Sequence, residues 1–386
     1  SEKDAFQALH MTWVKVPAPA IGQTGAKLQE PAMDIVPLVD RIGEPQTAAL
    51  FGLITGLIFG IAAQRSSFCL RASVVEFAKG QLGSRMAVWL LAFSTAVVWT
   101  QLAEMSGLMR SEDARMMAVP GSISGAIVGG LLFGAGMVMA RGCSGRLLVL
   151  AATGNMRSLV SGLVFAVVAQ MVLQGWLSPA RNWIAGLWIT SGGTNFNLLT
   201  TLHLPQEAGF AIGLIFALLA MWLARRNRVS LRVLFTASGV GFAVAAGWVL
   251  TYSLSQIAFD PVQVESATFT GPSANTLMFF LTSSPVLEFD IGLVPGVFLG
   301  AFLSAAFGRE LKLQGFDGAG SMSRALVGAA FMGMGGMLAG GCAIGAGVTG
   351  GSIFVGTAWL ALCCMWIGGM VTSWLLDQRG AVAQPA

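Results

Sequence analysis

Residues 130–146 read GLLFGAGMVMARGCSGR. The first part is an apolar run with glycines at 130 and 134, a spacing that lets membrane helices bring their backbones close together. The run stops in Arg141-Gly142-Cys143-Ser144-Gly145-Arg146, which is rich in residues that end helices, and a new apolar segment begins at Leu147. The stretch therefore reads as a helix, a break at a cysteine, and a second helix. The pattern recurs. Gly56-Leu57-Ile58-Phe59-Gly60 precedes Cys69, and Ala329-Ala330-Phe331-Met332-Gly333 precedes Cys342, with the same separation of nine residues from the last glycine to the cysteine as in 130–146. A fourth copy, Gly296-Val297-Phe298-Leu299-Gly300, puts Arg309 where the cysteine would stand.

Composition fixes the medium in which these helices form. Hydrophobic residues make up 55% of the chain and charged residues only 10%, against about 25% charge in a soluble domain. Mean hydropathy is +0.73, and the 50 glycines are about twice the usual share of roughly 7%. An all-α integral membrane protein follows, with broken helices and internal repeats meeting at mid-membrane. The net charge of +4 is no nucleic-acid signal, because the basic residues sit in short segments between apolar runs. Five cysteines without a C-x-x-C pair, and two histidines (His10, His203), leave neither a disulfide framework nor a zinc site. No P-loop or nucleophile elbow is present, and neither a cofactor nor a metal is expected.

Nine spans are predicted, near 47–64, 86–103, 121–140, 157–175, 207–224, 231–251, 290–307, 323–339 and 353–375. They make a transport domain over 46–376, preceded by a polar, proline-punctuated tail (1–45) and followed by a short C-terminal tail (377–386). Two long loops, 176–206 and 252–289, separate spans; the first carries Trp176, Trp183 and Trp188, residues suited to a membrane–water interface. Arg225, Arg226, Arg228 and Arg232 form the densest basic cluster, so their loop is expected in the cytoplasm. That choice places the N-terminus and the two long loops outside and the C-terminus inside.

The three break cysteines, Cys69, Cys143 and Cys342, are the candidate substrate-binding residues. Arg71, Gly142, Ser144, Arg146, Gly341 and Gly345 are the supporting loop residues. Each feature also has a plainer reading. Gly-x-x-x-Gly is commonly a packing face, and Cys363 and Cys364 read as small buried hydrophobes. Glu76 reads as a solvated loop residue, and Arg141 and Arg146 either snorkel to the surface or attract anions. A helix N-terminus aimed at a break presents free N–H groups and positive potential, which suits an anion.

At these motifs the chain resembles the YeeE/YedE family of bacterial sulfur-transport membrane proteins. The resemblance rests on Ser66-Ser67-Phe68-Cys69-Leu70-Arg71, on Arg141-Gly142-Cys143-Ser144-Gly145-Arg146 and on Gly340-Gly341-Cys342-Ala343-Ile344-Gly345, and it spans about 47–375. It implies a central path lined by three cysteines, with Cys69, Cys143 and Cys342 at the matching positions. It also implies thiosulfate uptake across the inner membrane, with a small TusA-like sulfur carrier as a cytoplasmic partner. Membrane lipid is a further expected partner, and nucleic acid is not one. The chemistry is consistent with this. A cysteine in apolar surroundings stays a neutral thiol that can donate a weak hydrogen bond to a dianion, and several weak sites in series let the ion move on. Moving a dianion into a negative interior costs about 4.6 kcal/mol per 100 mV, so uptake needs a coupled gradient or consumption inside. Lacking an evident intramembrane acid pair, the sequence favours a facilitated path. The main rival reading is a membrane-embedded thiol-disulfide redox protein, and a second is a membrane scaffold or receptor that binds its ligand without moving it.

Overall fold

The computed structural model describes residues 35–283, 286–316 and 318–382. Most of the expected N-terminal tail (1–34) and the end of the C-terminal tail (383–386) lie outside the described residues. The described chain is helical, and its only bridges between extended segments are isolated ones. Short α1 (Val36–Ile42) leads directly into α2 (Glu44–Ser66), which is followed by α3 (Leu70–Ala78) and α4 (Ser84–Met105). Next come a helical turn, α5 (Arg115–Ala118), α6 (Ile123–Met139), α7 (Ser144–Ala152) and α8 (Met156–Leu173). Two short surface helices, α9 (Ser178–Gly186) and α10 (Leu198–Thr201), precede α11 (Glu207–Arg226) and α12 (Leu231–Ser255). The last part holds α13 (Thr270–Leu281), α14 (Phe289–Phe307), α15 (Ala319–Leu338), the π-helical α16 (Ala343–Gly350) and α17 (Gly356–Val382).

Among the described residues, nine helices or broken helices are long and apolar enough to cross a membrane. The six unbroken helices, and the first part of each of the three broken ones, start and stop within a few residues of the predicted spans; the broken ones, Glu44–Ala78, Ile123–Ala152 and Ala319–Gly350, run on through a second helix. The long loops differ from expectation: 176–206 contains α9 and α10, and 252–289 contains the three-turn α13. These helices are short, with 9, 4 and 12 residues, too short to read as membrane spans.

Glycine seams hold the bundle together. α2 and α14 run parallel, and Gly52, Gly56 and Gly60 lie against the backbone of Phe289, Leu293 and Val297. From the other side Gly292, Gly296 and Gly300 lie against Ala49, Leu53 and Leu57. The first and fourth sequence repeats are thus two halves of one packing face. A second seam joins α6 to α15 in the antiparallel sense, with Gly125 at Leu338, Gly129 at Gly335 and Gly136 at Gly328. A third joins α6 to α17 in the parallel sense, through Gly130 at Ala361 and Gly134 at Met365. Outside these seams the bundle is apolar, as a lipid-facing surface must be: α11 exposes Ile215, Leu218 and Trp222.

Candidate functional site: three capped breaks

The three breaks share one backbone. Ser67, Arg141 and Gly340, each two residues before its cysteine, adopt left-handed conformations with φ of 52°, 59° and 74°. The next residue then donates its N–H to the carbonyl five residues back: Phe68 to Ala63 (3.2 Å), Gly142 to Met137 (3.1 Å) and Gly341 to Gly336 (2.9 Å). This closes the first helix and turns the chain. The cysteine is extended and becomes the N-cap of the second helix: Cys69 of α3, Cys143 of α7 and Cys342 of α16. The Cys342 thiol accepts from the N–H of Gly345 at 3.4 Å. The N–H groups of Ala72 and Arg146 face Cys69 and Cys143 from the same position, three residues on. Each thiol therefore sits at the positive end of a helix.

The fourth copy closes in the same way, but two residues later: Arg309 is left-handed (φ 54°) and Glu310 donates to Ala305 at 2.9 Å. Among the described residues no helix follows before Ala319, and Arg309 is exposed. The fourth repeat is therefore a packing helix and not a broken one.

The second helices leave the breaks in opposite directions. α7 leads to the end of the bundle where Lys312 donates to Thr153 (3.2 Å) and Gln314 to Gly154 (3.0 Å). α16 leads to the other end, where Leu198 donates to Phe354 (2.9 Å) and Gly356 to Phe196 (2.8 Å). Their heads meet, because the side chain of Ile344 fills the space beside Gly145. The Cys69 and Cys143 thiols lie within mutual hydrogen-bonding reach, and Cys342 is close enough to Cys143 for their charges to interact. All three are buried and free. Phe59 and Phe269, with ring centroids 5.2 Å apart, close the site together with Ile344.

The supporting residues fall into two groups. Arg146 is half-buried, faces Cys69 and Cys143 electrostatically, and has an Nη1 without a hydrogen-bond partner. Arg71 and Ser144, in the first turns of α3 and α7, likewise have a buried Nε and Oγ without partners. Gly142, Gly341 and Gly345 shape the breaks: an added Cβ would meet Leu147 at 3.2 Å, the Ala346 nitrogen at 2.7 Å and the Thr268 hydroxyl, respectively. Arg141, by contrast, is exposed. Among the other cysteines Cys364 is buried against Gly130, as expected, whereas Cys363 is exposed. Glu76 is not simply solvated; its carboxylate accepts from the N–H of Met86 at 2.9 Å and caps α4.

Sequence reading missed what lies beyond Cys342. Gly340, Gly341, Thr268 and Thr349 line a cavity of about 210 Å3, together with Arg115, Arg181, Glu265 and Asn275. A neighbouring cavity of about 320 Å3 shares Arg115, Arg181 and Gly340. These polar residues belong to loops and short helices, so no periodic pattern marks them.

The sequence profile for sulphur transport matches residues 65–371, across all three breaks. The chain belongs to the YeeE/YedE sulphur transport family. Among curated members of this family, the thiosulfate transporter TsuA of Spirochaeta thermophila is 27% identical over 342 residues, covering 85% of this chain and 99% of its own. The thiosulfate transporter TsuA of Escherichia coli K12 is 26% identical over 352 residues, covering 86% of this chain and 95% of its own. The chain is thus a multi-pass membrane protein of a sulphur transport family.

The contact between the heads of α7 and α16 gives a test of this geometry. In Gly145→Ala the new methyl would lie 2.6 Å from the Ile344 Cδ1 and 3.2 Å from Phe269. The substitution is expected to destabilise by about 1–3 kcal/mol. Ile344 is buried, so Ile344→Ala alone should cost about 2–5 kcal/mol, and the double variant should lose clearly less than the sum of the two in a thermal-unfolding measurement in detergent. Independent, additive effects would show that the two heads do not meet.

Proposed function

We propose that the protein carries thiosulfate, or a closely related small sulfur anion, inward across the bacterial inner membrane along a path lined by Cys69, Cys143 and Cys342. The observation that carries this reading is the threefold use of a cysteine as N-cap of a broken helix, with the three buried thiols gathered in one place. There the anion meets weak S–H donors and helix-end N–H groups, and the Arg146 guanidinium balances part of its charge. No single contact is strong, so the ion can leave as readily as it enters. The family relatives named as thiosulfate transporters support this substrate. In this orientation the N-terminus and the cavity beside Gly341 face outside, and the Arg225–Arg232 loop and C-terminus face the cytoplasm. A TusA-like carrier consuming sulfur there would keep uptake downhill.

Labelled-thiosulfate uptake into liposomes containing the purified protein tests the reading, with protein-free liposomes as baseline and sulfate as competitor. Saturable uptake that excess sulfate leaves largely intact is expected. Uptake no faster than the baseline would overturn transport, and equal competition by sulfate would overturn selectivity for the soft sulfur atom.

The contact between the Cys69 and Cys143 thiols favours one second reading, a membrane thiol–disulfide protein. Mass spectrometry after mild oxidation separates the two: a reversible Cys69–Cys143 bond formed during turnover supports the redox reading, and thiols that stay reduced while uptake proceeds support transport.

A further inference from the structure

One carboxylate, Glu265, lines the cavity beside Gly341, and a second, Asp290, stands behind the cavity-lining Asn275; the three-cysteine path uses neither. Glu265 lines the cavity, with its side chain 14% exposed, and its Oε2 lies 3.4 Å from Arg115 Nη1. Its backbone is fixed from both sides: its N–H donates to Thr251 Oγ1 at 3.2 Å, and the Thr251 hydroxyl donates to its carbonyl at 2.7 Å. Asn275 lines the same cavity and donates to Asp290 Oδ2 at 2.9 Å. Asp290, at the start of α14, is 3% exposed, and its other oxygen, Oδ1, is buried without a hydrogen-bond partner. A buried carboxylate oxygen left bare is costly unless it carries a proton.

The charged groups that act on this pair are few. Arg115 reaches Glu265 from α5, and Glu288 adds a like charge from the residue before α14. Arg181 of α9 lines the cavity as its second cation, and the groups contributed by α13 are the neutral Asn275 and Thr270. Burial first, and then the charge of Asp290, push the Glu265 carboxyl well above the usual carboxylate range; Arg115 pulls the other way.

We propose that Glu265 and Asp290 form a proton-binding pair at the mouth of the path, and that the cavity takes up a proton together with a doubly charged anion. With both carboxylates ionised, Glu265 occupies Arg115 and repels the incoming dianion. When the pair binds one proton from the adjoining solution, its charge falls from minus two to minus one. Arg115 is then released to face the anion. The proton returns to solution when the anion leaves and Glu265 closes on Arg115 again. Anion affinity and proton affinity raise one another by the same factor.

This inference rests on the transport reading, and the experiment separates the two. Thiosulfate binding to the detergent-solubilised full chain is measured by calorimetry between about pH 5.5 and about pH 8.5, where thiosulfate itself stays a dianion, in buffers of different ionisation enthalpy. Thiosulfate affinity is expected to fall about fivefold or more across this range, with a fraction of a proton taken up per anion bound near its middle. Glu265→Gln and Asp290→Asn, each checked for a single size-exclusion peak, should flatten the pH dependence and abolish the proton uptake. Glu265→Gln, as the less buried site, keeps the test decisive if Asp290→Asn does not fold. Thiosulfate binding that is equally tight at every pH, without proton uptake, would overturn the proton site and leave transport standing. Dependence on sodium in place of pH would replace the proton by a metal cation and also overturn it. Absence of thiosulfate binding at every pH, together with absence of liposome uptake, would remove both readings.

Discussion

Cys69→Ala, Cys143→Ala and Cys342→Ala are each expected to reduce thiosulfate uptake by about tenfold or more, while the protein still migrates as a single folded species. The size follows from the weakness of the contacts. One hydrogen bond to a charged group contributes about 1.5–3 kcal/mol, and in a chain of sites the loss of any one raises the barrier at that point. Cys69 and Cys143 are expected to be most sensitive, because their thiols meet under Arg146 and removing one leaves the other without its neighbour. Cys→Ser variants should fall between, since the hydroxyl keeps a donor of similar reach. Cys363→Ala, at an exposed position, is the control and should transport as the parent does. Normal uptake in all three alanine variants would make the cysteines packing residues, and the proposed path would be wrong. The measurement is the initial rate of labelled uptake per folded protein in liposomes.

The second large effect concerns folding. In Gly292→Leu a branched side chain would be driven into the backbone of Ala49, and in Gly56→Leu into that of Leu293. A backbone in a parallel helix pair cannot move aside as the tip of a side chain can, so each substitution should exceed about 3 kcal/mol, the upper end of ordinary overpacking. Either variant is expected to abolish monodisperse protein in size-exclusion chromatography. Gly162→Leu, where an added Cβ meets nothing within 4 Å, should leave the profile unchanged. Well-folded Gly292→Leu would show that α2 and α14 do not pack through this seam.

The fold was legible in the sequence because two strong signals coincided. Apolar runs of membrane-spanning length gave the helices, and the equal Gly-to-Cys separations marked three breaks that share one left-handed turn and one capping geometry. The fourth copy shows the limit of such a pattern. Gly296 and Gly300 pack as their counterparts Gly56 and Gly60 do, but Arg309 runs on into Glu310-Leu311-Lys312, and, where the other copies start a second helix, the chain bonds along Thr153 and Gly154 at the end of the bundle. Spacing identified the packing face there but not the break. The cavity acids were hidden for a different reason. Glu265 and Arg115 are 150 positions apart, in segments without periodicity, and only the tertiary fold brings them together. The pairing of Glu265 with Asp290 therefore bears on the expectation, drawn from the sequence, that no acid pair serves a coupled mechanism: one member lies in a loop, the other at a helix end, and neither interrupts an apolar run.

The glycine seams have a consequence for the gene. Every glycine codon begins with the same two bases, and a change in either of them places a side chain, or a stop, where the fold admits only hydrogen. Third-base changes are silent. Along α2, α6, α14 and α15 the protein therefore has almost no conservative missense changes on offer, unlike a leucine-rich interface that can drift through isoleucine, methionine or valine. A saturation library should show these seams as narrow stripes of intolerance running along helices whose lipid-facing sides vary freely.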